Sequence, residues 1–174
     1  MSTEDRGMSP YQALILEHSK SPRGWGALAP GTALVGERTG VNPLCGDQVT
    51  LRLGHLTAGG ATVGFESQGC ALCRASASIL AEAATGLAPA ALRRLVNTFR
   101  TEFPSRAPPA AWLPAAVLAL YDLRHYPARQ HCVMLAWETL AALTELTVPD
   151  QAAAEPAGSP PSTEQAKKEP ETSG

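Results

Sequence analysis

The sequence predicts an α+β domain whose helices pack on one face of an antiparallel sheet. Two observations carry this. Short runs of apolar–polar alternation fill the first half of the chain, and after Gly69-Cys70 the apolar period changes from two to 3.6. Strands thus come first and helices after, an order that favours a sheet covered by segregated helices over a βαβ arrangement. Tyr11, Leu14, Ile15 and His18 recur at helical spacing behind Ser9-Pro10, which predicts a short first helix ended by Ser21-Pro22-Arg23-Gly24. Ala33 to Gly40 is a weak strand. Val49, Leu51 and Leu53 alternate with polar residues, and so do Val63 and Phe65 after Ala58-Gly59-Gly60, which reads as a β-hairpin.

Beyond Cys70, Leu72, Ser76, Ile79, Leu80 and Ala83 share a helical face, with Gly86 as its stop. Pro89 opens the next helix, whose stripe is Leu92, Leu95, Val96, Phe99 and Phe103. Pro104 to Pro114 reads as irregular. A last helix is expected from about His131 to Leu146, with Val133, Trp137, Leu140 and Leu143 facing the core. From Pro149 to Gly174 there is no aromatic residue and no Val, Leu, Ile or Met, but five prolines and five acids. Such a segment buries too little apolar area to offset the entropy of ordering it, so residues 149–174 read as a disordered tail on a 1–148 domain.

Composition removes several function classes. With 174 residues and a net charge of −2, the chain has no basic field for nucleic acid or anionic lipid. No apolar run approaches the roughly 18–20 residues of a membrane span, since Ala110 to Leu120 is short and interrupted by Pro114. The first ten residues lack the apolar core of a secretory signal, so a cytoplasmic setting is expected. There, four cysteines read as ligands or nucleophiles before they read as disulfides. No glycine-rich phosphate loop and no paired catalytic carboxylates occur.

Three cysteines and one acid stand out. Cys45 and Asp47 flank Gly46 in a turn, and a glycine between two ligands lets both side chains converge. Cys70 lies where the hairpin gives way to a helix, a place where exposed N–H groups favour an anion. Cys132 lies at the expected start of the last helix. Three sulfurs and a carboxylate suit a tetrahedral metal site in type and number, though their spacing is less specific than paired CxxC motifs. The competing reading is of scattered thiols acting as small hydrophobes.

At these same residues the chain resembles a known family. Asn42-Pro43-Leu44-Cys45-Gly46-Asp47, then Gly69-Cys70 with Ala75-Ser76-Ala77-Ser78, then Arg129-Gln130-His131-Cys132 with Leu135 and Trp137, look like the SufU branch of the SufU/IscU/NifU-type iron–sulfur assembly proteins. The likeness runs from about Tyr11 to Leu146, and the gaps between the cysteines also fit SufU. It implies a three-stranded antiparallel sheet and one zinc held by Cys45, Asp47, Cys70 and Cys132. It further implies a pyridoxal-phosphate cysteine desulfurase (SufS-like) as sulfur donor, Cys45 as the persulfide acceptor, and downstream iron–sulfur assembly proteins as recipients. Such a protein is a sulfurtransferase in the sense of an acceptor and carrier. The alternative is a scaffold in the IscU sense, carrying a transient [2Fe–2S] or [4Fe–4S] cluster on the same ligands. A purely structural zinc is the third reading, disfavoured by Asp47, because closed structural sites mostly use Cys and His.

Two residues depart from the SufU pattern. Cys73 stands where Ser is usual; three positions beyond Cys70, it shares that residue's helical face and is expected to pack, the alternatives being a further ligand that makes a sulfur-richer, tighter site and a Cys70–Cys73 redox pair. His131 stands where Lys is usual, giving instead the His-Cys of the IscU-type motif. Adjacent helical residues point about 100° apart, so His131 and Cys132 do not both ligate from a regular helix, and His131 reads either as an alternate ligand for cluster building or as an exposed helix-start residue. His18, His55 and His125 have no partner pattern and are expected at the surface. Arg124 and Arg129 are candidates for steadying a thiolate or docking a partner. Ser76 and Ser78 read as small packing residues and Trp137 as core.

Overall fold

A computed structural model describes residues 9–56, 59–105 and 107–147. The tail expected over 149–174 lies outside the described residues. Helix α1 spans Pro10–Lys20. Ser9 caps it and Gln12 returns the bond, so two otherwise orphaned N–H groups are satisfied reciprocally. Three strands follow, β1 (Ala33–Val41), β2 (Gln48–His55) and β3 (Ala61–Gln68), paired antiparallel in that order. The register sets Leu51 opposite Phe65 and Leu53 opposite Val63. Alternation therefore delivers Val49, Leu51, Leu53, Val63 and Phe65 to one face, where all are buried. The edge of β3 gains one short parallel pairing. Gly26 donates to Phe65 O, Phe65 donates to Gly24 O, and the Trp25 ring stands edge-on to Phe65 at 5.4 Å.

Helices α2 (Ala71–Ala84), α3 (Pro89–Glu102), α4 (Ala115–Leu120) and α5 (Pro127–Thr147) complete the domain, with a 3-10 turn at Tyr121–His125 between the last two. Helix α2 packs on β3 and α5 on β1 and β2, each against the other. The α3 stripe is as expected: Leu92, Leu95, Val96 and Phe99 are buried, each worth about 1.5–3 kcal/mol. Phe99 stacks between Phe103 and Trp137, with centroid separations of 4.9 and 3.9 Å.

Pro104 to Pro114 is irregular as expected, and Pro114 is also the entry residue of α4, a helix the sequence reading did not anticipate; the fixed φ of proline suits that place. Two expectations need correction. Helix α5 begins at Pro127, not near His131, so Cys132 lies in its second turn rather than at its start. Its N–H is spent within the helix.

The second correction concerns His18, which is buried rather than on the surface. Its Nδ1 lies 2.8 Å from Ser78 Oγ, which also accepts the Arg23 N–H at 2.7 Å. The pair fastens α1 and the turn after it to α2. Desolvation, aided by the nearby Arg23 charge, lowers the His18 pKa below its ordinary value. The folded chain thus resists a proton that the unfolded chain accepts below about pH 6.5. Stability of the metal-free protein should therefore be complete above that pH and fall as pH drops below it. In urea melts at pH 7.5 and 5.5, His18→Gln should flatten this difference; an unchanged difference would assign the pH dependence elsewhere.

Candidate metal centre

The loop between β1 and β2 is built by Asn42. Its side chain accepts the Leu44 N–H at 3.0 Å, its N–H donates to Asp47 O at 2.8 Å, and its C=O accepts the Gly46 N–H at 2.8 Å. The loop closes on itself, with Gly46 at φ 76° at the bend. This leaves Cys45 exposed and Asp47 buried beside the first pair of β2. Leu44, next to Cys45, is 74% exposed.

From the other side come two helices. Cys70 is the N-cap of α2: its Sγ accepts the Cys73 N–H at 3.3 Å, while its own N–H donates to Asp47 Oδ1 at 3.2 Å. Cys132 reaches in from α5 and is 5% exposed. Ser76 fixes α2 against α5 by donating to Val133 O at 2.7 Å and accepting the Trp137 Nε1–H at 3.1 Å. Ser76 is a packing residue as expected, but a polar one, and the carbonyl it holds adjoins Cys132.

The result is a group in which the ligand atoms of Cys45, Asp47 and Cys132 all lie within 4.8 Å of one another. Cys70 is not among these three. It adjoins them, with its thiol beside the Asp47 carboxylate and the Cys132 thiol. Burial raises the Asp47 pKa, but the Cys70 thiol and N–H and the thiols of Cys45 and Cys132 outweigh it and hold the carboxyl below its usual range. Burial, followed by the Cys70 thiol and the charges of Cys45 and Asp47, pushes the Cys132 thiol up. Asp47 Oδ2 is buried without a hydrogen-bond partner. An orphaned carboxylate oxygen facing thiols is costly unless a cation takes it, and two sulfurs with one oxygen, a third sulfur adjoining, is a donor set that zinc accepts.

Sequence reasoning placed Gly69 in a motif but gave it no role. It holds φ at +148°, and a Cβ there would collide with the Asp47 carboxylate. The carboxylate lies against bare backbone, and glycine is what admits it. A Gly immediately before Cys70 was the available signal.

The remaining candidates are elsewhere. Cys73 is fully buried within the core, where burial pushes its thiol up to about 12. His131 is exposed on regular helix and lines a cleft of about 460 Å³ between α3 and α5 with Asn97, Arg100 and Glu138. Arg124 donates to Ser105 O and Ala107 O and lies over the Tyr121 ring, so it ties down the segment after α3. Arg129, His55 and His125 are exposed. Among the described residues, no helix is long and apolar enough to cross a membrane.

The NifU-like N-terminal domain family matches residues 10–146. The chain is 30% identical over 140 residues to the iron-sulfur cluster assembly scaffold protein IscU of Thermotoga maritima, covering 80% of this chain and 96% of that one. It is 27% identical over 133 residues to the zinc-dependent sulfurtransferase SufU of Bacillus subtilis, covering 75% and 86%. The crystal structure of a nitrogen-fixing NifU-like protein (N-terminal) from Brucella abortus aligns with a TM-score of 0.63 at 25% identity, over 78% of this chain and 92% of that one.

Proposed function

The chain belongs to the NifU-like N-terminal domain family, which includes the IscU and SufU iron–sulfur assembly proteins, and we propose that within it this protein is a zinc-dependent sulfur acceptor and carrier. Cys45, Asp47 and Cys132 would hold the metal, with Cys70 as fourth ligand. Zinc bound there would keep the thiols deprotonated at neutral pH. The donor is a SufS-like, pyridoxal-phosphate cysteine desulfurase carrying a cysteine persulfide, and the recipients are downstream iron–sulfur assembly proteins in the cytoplasm.

One observation carries the reading: of the residues in the group, Cys45 alone is exposed, on a closed loop beside an exposed leucine. Its thiolate is the one an incoming persulfide can meet. The thiolate attacks the terminal sulfur, a new Cys45 S–S bond forms, and the donor's S–S bond breaks with the electron pair leaving on the donor's cysteine thiolate. No net oxidation occurs, and the sulfane sulfur moves to Cys45. Asp47 and Cys132 are buried and stay in place, so the site keeps its shape while the exposed thiol exchanges.

A scaffold reading is favoured by the IscU name of the 30% identical relative. Metal content separates the two. Protein purified without added iron should carry one zinc per chain, and with a desulfurase, cysteine and a reductant it should raise sulfide release well above the desulfurase alone. A stable, stoichiometric coloured cluster after iron and sulfide treatment, without such stimulation, would select the scaffold.

A further inference from the structure

Cys70-Ala71-Leu72-Cys73 is a C-x-x-C sequence placed across the first turn of α2. The two ends of that turn differ sharply. Cys70 is half-buried at the cap, and Cys73 is fully buried. The Cys70 sulfur lies 3.3 Å from the Cys73 backbone nitrogen, which is two bonds from Cys73 Cβ. Residues three apart on a helix share a face, so a side-chain rotation, without a change of backbone, brings the sulfurs toward the separation a disulfide requires. The Cys70 sulfur also adjoins the metal centre without being among its mutually close ligand atoms. It is shared between the cluster on one side and Cys73 on the other.

We propose that Cys70 and Cys73 are a redox modification site, oxidised by a low-molecular-weight disulfide to an intramolecular disulfide that withdraws Cys70 from the metal centre. The Cys70 thiolate, the accessible member, attacks the small disulfide, forming a mixed disulfide and expelling one small thiolate. Cys73 then attacks the Cys70 sulfur and expels the second small thiolate, which leaves with the Cys73 proton as the free thiol. Two protein thiols lose two electrons in all, and the small disulfide gains them. A cysteine buried in the core meets no oxidant directly, so the order of events is fixed by burial. In a reducing compartment such a pair is expected to be transient and sensing rather than structural. Formation of the disulfide stands on the helix geometry alone, whereas its effect on the metal rests on the zinc reading above.

The test uses the full chain with its zinc-to-protein ratio measured beforehand. After treatment with oxidised glutathione, alkylation and trypsin, the peptide between Arg52 and Arg74 contains Cys70 and Cys73 and no other cysteine. It should appear two hydrogens lighter and unalkylated, and dithiothreitol should restore both alkylation sites. Zinc captured by a coloured chelator should rise in step with the oxidised peptide. Cys73→Ser should instead keep a glutathione adduct on Cys70; the same adduct left unresolved on the wild-type peptide would show that Cys73 only packs and would overturn the proposal. If that variant fails to fold, the wild-type peptide map decides alone. Two alkylated cysteines after full exposure to the oxidant would overturn the proposal. A disulfide formed with zinc fully retained would overturn the withdrawal of Cys70. Protein that carries no zinc at the outset would remove the zinc reading and leave the peptide map as a test of the pair.

Discussion

Cys45→Ser should reduce sulfide release to the rate of the desulfurase alone, while the protein stays folded and keeps part of its zinc. The sulfur step needs one thiolate that a persulfide can reach, and the other cysteines near the centre are buried or half-buried. A serine hydroxyl at that position is neither a thiolate nor a comparable nucleophile at neutral pH, so the loss should be complete rather than partial. Zinc should persist in part because Asp47, Cys70 and Cys132 remain. Asp47→Ala should also abolish stimulation, but with zinc lost, since it removes the buried oxygen and leaves the Cys70 N–H without its acceptor. Measuring zinc and sulfide on the same samples separates the two failures. Normal stimulation by Cys45→Ser would end the carrier reading.

The second large effect is expected at a residue with no side chain. Gly69→Ala should lose most of the zinc and lower the melting temperature by roughly 2–12 °C. An alanine at φ +148° is strained by about 1–3 kcal/mol, and about 1 kcal/mol corresponds to ~2–4 °C in a chain of this size. Its Cβ would also drive the Asp47 carboxylate away from the Cys70 N–H. Gly46→Ala is the control. That glycine also has a positive φ, but a Cβ there meets nothing within 4 Å, so the cost is the backbone term of about 1–2 kcal/mol with zinc largely retained. Calorimetry and metal analysis on both variants check this. Equal zinc content in the two would show that Gly69 does not position Asp47.

Elements whose apolar pattern is locally complete were legible. Alternation in β2 and β3, the Ser9-Pro10 cap and the α3 stripe each encode a period and a boundary within about ten residues. Helix α4 was not legible, because six residues of Ala, Val and Leu have no polar face to reveal a period. The start of α5 was missed because its first residues, Pro127 to Arg129, are exposed and add nothing to the apolar stripe. That four-residue error changed the chemistry assigned to Cys132, which is a mid-helix thiol governed by burial and not by a helix end. His18 was misplaced for a related reason. A histidine's burial depends on a hydroxyl 60 positions away, and no local pattern records Ser78.

What the sequence determined by itself is the strand-then-helix order, the three motif segments and the residue types gathered in them, because periodicity, turn chemistry and ligand chemistry are properties of short stretches. The tertiary structure decided the rest. It placed Cys45, Asp47 and Cys132 within 4.8 Å of one another with Cys70 at their edge, exposed one thiol while burying another, and set Asp47 against the bare backbone of Gly69. These depend on how a loop, a helix cap and a second helical turn approach one another across the sheet. That approach is set by the packing of α2 and α5 and by the Ser76 bond between them, which join residues far apart in the chain.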